Sequence, residues 1–368
     1  MKTPRFTPLI AGLPASVPFV GPEAQERAMG RRFGARLGAN ESVFGPAPAA
    51  VAAMQAAAAE VWKYGDPENH DLRAALAAHH DVAMENIVVG AGIDGLLGAL
   101  ARLFVAPGTP VVTSRGAYPT FNYHVLGYGG VLHQVPFRDD AEDPDALLDA
   151  ARETDAALIY LANPDNPMGS WHIAQVVQRM IDALPAGAVL CLDEAYGEFA
   201  PPGTLPPLQP DNPQVIRMRT FSKAHGMAGA RIGYAIGAPV LIGSFAKVRN
   251  HFGVNRIGQA GALAALGAPE WLAHVIAQVE AARTRITEIA AGQGLRALPS
   301  ATNFVTLDCG RDGAYAKLVL EGLVQRGVFV RMPFVEPENR CIRVSAGRPE
   351  DLDLFEQALP DALADANG

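Results

Sequence analysis

Residues 157–166 read Ala-Leu-Ile-Tyr-Leu-Ala-Asn-Pro-Asp-Asn, and residues 188–196 read Ala-Val-Leu-Cys-Leu-Asp-Glu-Ala-Tyr. Each is a short apolar run that stops abruptly at a cluster of polar residues. Runs of this length without polar alternation predict strands covered on both faces. The pattern recurs at 86–90, 110–114, 214–218 and 232–236. Helical patterns lie between and before these runs, at 49–61, after Asn69-His70, and at 93–104. Strands alternating with helices predict an α/β architecture around a mostly parallel sheet. In such sheets ligands gather at the carboxyl ends of the strands, which is where the polar clusters fall.

The chain has 368 residues, 49% apolar and 18% charged, with a formal net charge of −8. That length predicts more than one structural unit. From Trp271 a long amphipathic helix runs to Gly292, followed by short strands (303–307, 328–330, 341–344) and helices at 314–326 and 349–358. We therefore expect three parts. Residues 1–45, rich in Pro and Gly, form an arm and part of a smaller unit; 46–268 form a large ligand-binding unit; and 269–368 form a smaller α+β unit that begins with the long helix.

Composition excludes several classes. Cys191, Cys309 and Cys341 form no CxxC pair and the histidines form no HExxH, so no metal site is expected. The acidic balance argues against a nucleic-acid partner. No run approaches the ~20 apolar residues of a membrane helix. Pro4, Pro8, Pro14 and Pro18 interrupt any leader-like helix, so a cytoplasmic protein with no membrane partner is expected.

The strand ends carry the chemistry. After 157–161 comes Asn163-Pro-Asp-Asn166-Pro-Met-Gly169, and after 188–192 comes Asp193-Glu-Ala-Tyr196. After 214–218 come Thr220-Phe-Ser222-Lys223 and then Arg231. Gly90-Ala-Gly92-Ile93-Asp94-Gly95 is a literal GxGxxG between a strand and a helix. It reads either as a phosphate cradle at a helix N-terminus or as a Gly-rich turn. A nicotinamide site would need an acid at the end of the next strand. Ser114-Arg115 stands there, which suits at best a 2′-phosphate. Among the lysines only Lys223 sits beside a strand end amid small residues, where burial can make an amine nucleophilic. Asp193 ends an apolar strand, a costly place for a carboxylate without a partner.

Taken in order, these segments resemble the fold-type I aminotransferases that use pyridoxal 5′-phosphate, most closely the histidinol-phosphate aminotransferase-like branch. The resemblance begins with Pro18-Phe19-Val-Gly-Pro22 and Ala39-Asn40-Glu41, and continues through Tyr64-Gly-Asp66-Pro67 with Leu72-Arg73. It runs on through Asn163–Gly169, Asp193–Tyr196 and Thr220–Gly229 with Arg231 eight residues after the lysine, ending at Ile342-Arg343-Val-Ser-Ala-Gly347. It implies a three-layer α/β/α large domain with a mostly parallel sheet, plus a smaller α+β domain.

By position the resemblance also implies roles. Lys223 holds the cofactor and moves the substrate proton, Asp193 partners the ring nitrogen, and Asn166 and Tyr196 address the ring oxygen. Tyr118 stacks on the ring. Thr220, Ser222, Arg231 and the N–H groups of Ile93 and Asp94 take the phosphate, and Tyr64 reaches the phosphate of a neighbouring subunit in a homodimer. Arg343, Arg331, Asn40 and Phe19 face the substrates, an amino-acid donor and a 2-oxo acid acceptor. Phe19 stands where the branch has a tyrosine, Met168 where it has threonine, and Ile93 and Gly95 where it has serine and glutamate. The expected reaction moves an amino group from an L-amino acid or histidinol phosphate to an acceptor such as 2-oxoglutarate. The alternatives are aromatic or other amino donors without a phosphate, a decarboxylase of a phosphorylated amino acid, and the NADP-type dehydrogenase.

Overall fold

The computed structural model describes residues 4–14 and 20–368. Its main sheet has seven strands: β1 (Ile87–Gly90), β2 (Pro110–Ser114), β3 (Val131–Val135), β4 (Leu158–Ala162), β5 (Val189–Asp193), β6 (Val215–Thr220) and β7 (Gly233–Gly237). They lie in the order β1-β7-β6-β5-β4-β2-β3. Only β7 is antiparallel to its neighbours. The twelve residues between Thr220 and Gly233 hold no α-helix. A parallel return is usually made through a crossover helix, and without one this connection folds straight back. It leaves Ser222, Lys223 and Arg231 together at the carboxyl end of β6.

The expected runs at 157–161, 188–192, 214–218 and 232–236 become strands displaced by one residue or extended toward the polar end. β4 and β5 are buried along their whole length, between a cluster containing Leu158, Tyr160 and Cys191 on one face and one containing Ile159, Leu161 and Leu192 on the other. Strand β3, Val-Leu-His-Gln-Val, was not expected. It is one of the two sheet edges and is only half covered, so it lacks the continuous apolar run that marks the interior strands.

A second core gathers Val275, Ile286, Phe304, Leu307, Val319, Ile342, Val344 and Phe355. It lies among helices Pro269–Gly292, Gly313–Gln325 and Pro349–Asn367 and the antiparallel strands Phe304–Asp308 and Cys341–Ser345. The N-terminal segment is not simply an arm. Ala35 and Arg36 pair in parallel with Val328 and Phe329, and the Leu37 carbonyl accepts from the Ser345 N–H at 2.7 Å. The last helix corrects the expected end at 358: it continues through Pro360 to Asn367. Proline removes one helical hydrogen bond. Leu359 and Ala362 are both fully buried on either side of it, and that packing offsets the loss.

Candidate active site

Strand register brings the predicted residues together. Ala162 lies opposite Asp193, Asp193 opposite Met218, Thr220 opposite Gly233, and Gly233 opposite Gly90. Helix Gly92–Phe104 starts directly after β1, with no acceptor inside the helix for its first N–H groups. A Cβ at Gly92, where φ is +73°, would collide with the Arg231 guanidinium, and one at Gly233 would come within 2.8 Å of the Ile93 nitrogen. Glycine at both positions lets the helix start, the antiparallel strand and Arg231 converge.

The convergence encloses a cavity of about 240 Å³, walled by Ile93, Asp94, Tyr118, Tyr160, Asn166, Asp193, Tyr196, Thr220, Ser222, Lys223 and Arg231 among others. One end suits an anion. There the helix N-terminus meets Ser222, whose Oγ accepts from Arg231 at 3.3 Å and from Thr220 at 2.9 Å. Asp94 borders this end, where its carboxylate accepts from the Tyr118 hydroxyl at 2.8 Å and from Arg231 at 3.4 Å. The glycine-rich turn therefore faces the same space as Lys223, and no separate dinucleotide site is needed to explain it.

At the opposite end, Asp193 Oδ2 accepts from the Tyr160 hydroxyl at 2.7 Å and Oδ1 from the Ala195 N–H at 2.9 Å. Burial pushes its carboxyl up to about 6, while those two donors hold it down. Tyr160 was not singled out from sequence. Its position could have been found by register: Tyr160 pairs with Cys191 two residues before Asp193, so the two side chains share one face. Phe121 stacks on the Tyr160 ring at 4.7 Å.

Lys223 Nζ donates to the Asn40 carbonyl at 3.0 Å and stands 5.4 Å from the Tyr196 ring centre. Burial first, and then the Arg343 charge, lower its amine to about 8. Asn40, at φ +53° and 2% exposed, donates to the Tyr196 hydroxyl at 3.0 Å and is itself fixed by Ser345 and Asn303. Burial raises the Tyr196 phenol to about 12.

A wider cavity of about 530 Å³ adjoins the first across Asp94, Tyr118, Asn166 and Lys223, with Asn40, Thr120, Tyr123, His124, Arg331 and Arg343 as its other main walls. Arg331 and Arg343 exchange backbone hydrogen bonds. Arg343 donates to Asn166 Oδ1, its Nε is buried without a partner, and burial lowers it to about 10. Arg331 donates to the Val20 carbonyl at 2.9 Å. Phe19 lies outside the described residues. Tyr64 is 77% exposed, beside Phe252, and touches neither cavity of its own chain. Among the described residues no cluster of three metal-ligating side chains exists, and no single helix is long and apolar enough to cross a membrane.

An anion cradle, a buried amine and a carboxylate aimed at one small space match a ligand bearing a phosphate, a carbonyl and a basic ring nitrogen. The family model described as Aminotransferase class I and II matches residues 34–359. The chain belongs to this family. It is 54% identical to the histidinol-phosphate aminotransferase of Sinorhizobium meliloti in complex with pyridoxal-5′-phosphate, with a TM-score of 0.96 over 99% of this chain and 98% of that one. It is 37% identical to histidinol-phosphate aminotransferase 1 of Mesorhizobium japonicum, over 88% of this chain and 89% of that protein. It is also 35% identical to an aromatic amino acid aminotransferase of Mycolicibacterium paratuberculosis, over 98% and 99%. The enzyme is thus a pyridoxal-phosphate-dependent aminotransferase of the histidinol-phosphate aminotransferase-like branch, working on amino-acid and 2-oxo acid substrates. The dehydrogenase reading falls away.

Proposed function

We propose that this aminotransferase takes the amino group of histidinol phosphate and gives it to 2-oxoglutarate. The observation that carries the proposal is the pair Arg331 and Arg343 on one wall of the cavity that opens onto Lys223. Two cations there serve one phosphate in the first half-reaction and two carboxylates in the second. The likeness to the Sinorhizobium meliloti and Mesorhizobium japonicum enzymes supports it. Aromatic L-amino acids are the second reading, favoured by the Tyr118, Tyr123 and His124 walls and by the Mycolicibacterium paratuberculosis relative.

When bound, pyridoxal phosphate supplies a carbonyl carbon that takes the amino nitrogen and a ring that draws off the electron pair left at Cα. The chain's own residues do the rest. Lys223, with its basicity lowered by burial, removes the Cα proton and returns it on the other side of the transfer. Asp193 keeps a proton on the ring nitrogen, and Tyr160 and the Ala195 N–H hold that carboxylate in place. Asn166 and Tyr196 address the ring oxygen, and Tyr118 covers the ring face. Thr220, Ser222, Arg231 and the N–H groups of Ile93 and Asp94 hold the phosphate. Asn40 orients Tyr196, and Arg343 clamps the substrate anion with Arg331 at the far end.

The enzyme works in this reading as a homodimer, with Tyr64 entering the neighbouring site. Its exposure supports this, as does that of Trp62 at 77%, Val61 at 64% and Phe252 at 53%. Residues 46–268 form the cofactor-binding unit; 269–368, with part of 1–45, form the unit that faces it.

Steady-state assays with 2-oxoglutarate and a panel of donors test the substrate. Histidinol phosphate should give the highest kcat/KM. A higher value for phenylalanine or tyrosine would move the assignment to the second reading. Carbon dioxide release without any need for a 2-oxo acid would sink both.

A further inference from the structure

A short series of hydrogen bonds leads from the second unit to Tyr196. It begins at Ser345, the buried last residue of the strand Cys341–Ser345. The Ser345 Oγ accepts from the Asn40 N–H at 3.0 Å and donates to Asn40 Oδ1 at 3.1 Å. Asn40 Nδ2 then donates to the Tyr196 hydroxyl oxygen at 3.0 Å. Ser345 is itself held in place: its N–H donates to the Leu37 carbonyl at 2.7 Å, and strand pairing sets it opposite Phe304.

The first member of the series sets the direction of the rest. A hydroxyl has one proton to give, and Asn40 Oδ1 is the acceptor that the buried Ser345 hydroxyl finds. Turning the Asn40 amide over would leave that proton unpaired, with the cost of a buried unsatisfied donor. The amide therefore keeps Nδ2 toward Tyr196. The phenol oxygen receives a hydrogen bond there, and among the described residues its own proton has no acceptor. That proton is left for the smaller cavity, which Tyr196 lines together with Lys223. A hydroxyl that accepts at its oxygen is also the stronger donor.

We propose that Ser345 is a positioning residue that acts through Asn40 to point the Tyr196 proton at the ring oxygen of the cofactor. This rests on the reading that Tyr196 addresses that oxygen. A donor there draws negative charge off the ring oxygen, so the neighbouring nitrogen that joins Lys223 to the cofactor loses its proton at lower pH. Without the Ser345 hydroxyl, Asn40 Oδ1 has no donor, and the amide turns to accept the Tyr196 proton instead. The ring oxygen then keeps more of its charge, and the joining nitrogen holds its proton to higher pH. The charged groups that bear on the phenol are Arg343, Asp193 and Asp165, with Lys223 Nζ 5.4 Å from the ring centre, and a substitution at 345 removes none of them.

The test follows the visible absorption of the enzyme loaded with pyridoxal phosphate as pH is varied, since the midpoint of the spectral change reports that proton. Ser345→Ala should raise the midpoint by at least about 0.3 pH unit, a roughly twofold gain in proton affinity. Tyr196→Phe should raise it further. Adding Ser345→Ala to Tyr196→Phe should change nothing more, because the hydroxyl through which Ser345 acts is gone. Asn40→Gly removes the middle of the series, suits the φ of +53° at this position and keeps the carbonyl that Lys223 uses, so it should also raise the midpoint. A wild-type midpoint in Ser345→Ala or in Asn40→Gly would overturn the proposal. So would a Ser345→Ala shift of undiminished size in the Tyr196→Phe background, which marks a merely structural effect. An unmoved midpoint in Tyr196→Phe would overturn the placement of Tyr196 at the ring oxygen, a failure distinct from that of Ser345.

Discussion

Around the smaller cavity, the fixed end of the active site, Tyr160, Asp193, Thr220 and Ser222 hold one another or nearby backbone within the carboxyl edge of one sheet. At the Arg343 end the arrangement is looser. Arg343 spends one donor on Asn166 and buries its Nε unpartnered, and Arg331 reaches out to the Val20 carbonyl of the N-terminal segment. On the proposed function, the difference follows from what each end must hold. A permanent ligand is served by groups fixed beforehand, with no reorganisation left for the moment of reaction. Two substrates that enter in turn are served by donors that each can claim from weak partners.

The largest break in this comparison comes from removing the amine between the two ends. Lys223→Ala should lower kcat by at least about 10⁴-fold, the upper range for a lost acid–base group. The fold should survive, because Nζ gives only one hydrogen bond, to the Asn40 carbonyl. Single-turnover kinetics and a thermal melt check both halves. Near-normal turnover would remove Lys223 from the chemistry.

At the loose end, Arg343→Gln should raise KM for 2-oxoglutarate far more than it lowers kcat. A cost of about 2–5 kcal/mol is usual for losing one member of a buried charged contact. An equal fall in kcat with KM unchanged would place Arg343 in the transition state alone.

At the fixed end the effect is smaller and depends on pH. Asp193 must be ionised to accept from the ring nitrogen, and burial puts its protonation near pH 6 in the free protein. Cofactor affinity should therefore fall as pH drops through that value. Tyr160→Phe removes a donor that favours the carboxylate, so the fall should begin at higher pH, with affinity near neutrality lower by about 1.5–3 kcal/mol. Fluorescence titration with pyridoxal phosphate measures it. An unmoved midpoint would show that Tyr160 does not govern this carboxyl.

The smallest change sharpens the substrate side. Phe19→Tyr should raise kcat/KM for histidinol phosphate by the roughly 0.5–1.5 kcal/mol of one added hydrogen bond. No gain would mean the missing hydroxyl was never a phosphate contact.

The fixed end was largely legible in the sequence because each polar group follows its own strand directly, as Asp193 does after Val-Leu-Cys-Leu. Tyr160 escaped notice because an aromatic inside an apolar run reads as core, and only pairing with β5 shows which face it shares. β3 was missed because a half-covered edge strand loses the apolar signature. The second unit was foreseen in outline, but not that Ala35–Arg36 would pair with Val328–Phe329 across nearly the whole chain. Such pairing depends on long-range packing, which periodicity does not carry. The last helix runs past the expected end at 358 because burial of Leu359 and Ala362 overrides the local break that Pro360 offers.

The central claim is tested most directly by the visible absorption of the enzyme loaded with pyridoxal phosphate as histidinol phosphate is added, followed by 2-oxoglutarate. The account predicts that the band of the lysine-bound cofactor disappears with the donor and returns with the acceptor, one equivalent for each active site, and that Lys223→Ala does not cycle. A band that histidinol phosphate leaves untouched, or that no 2-oxo acid restores, would contradict it.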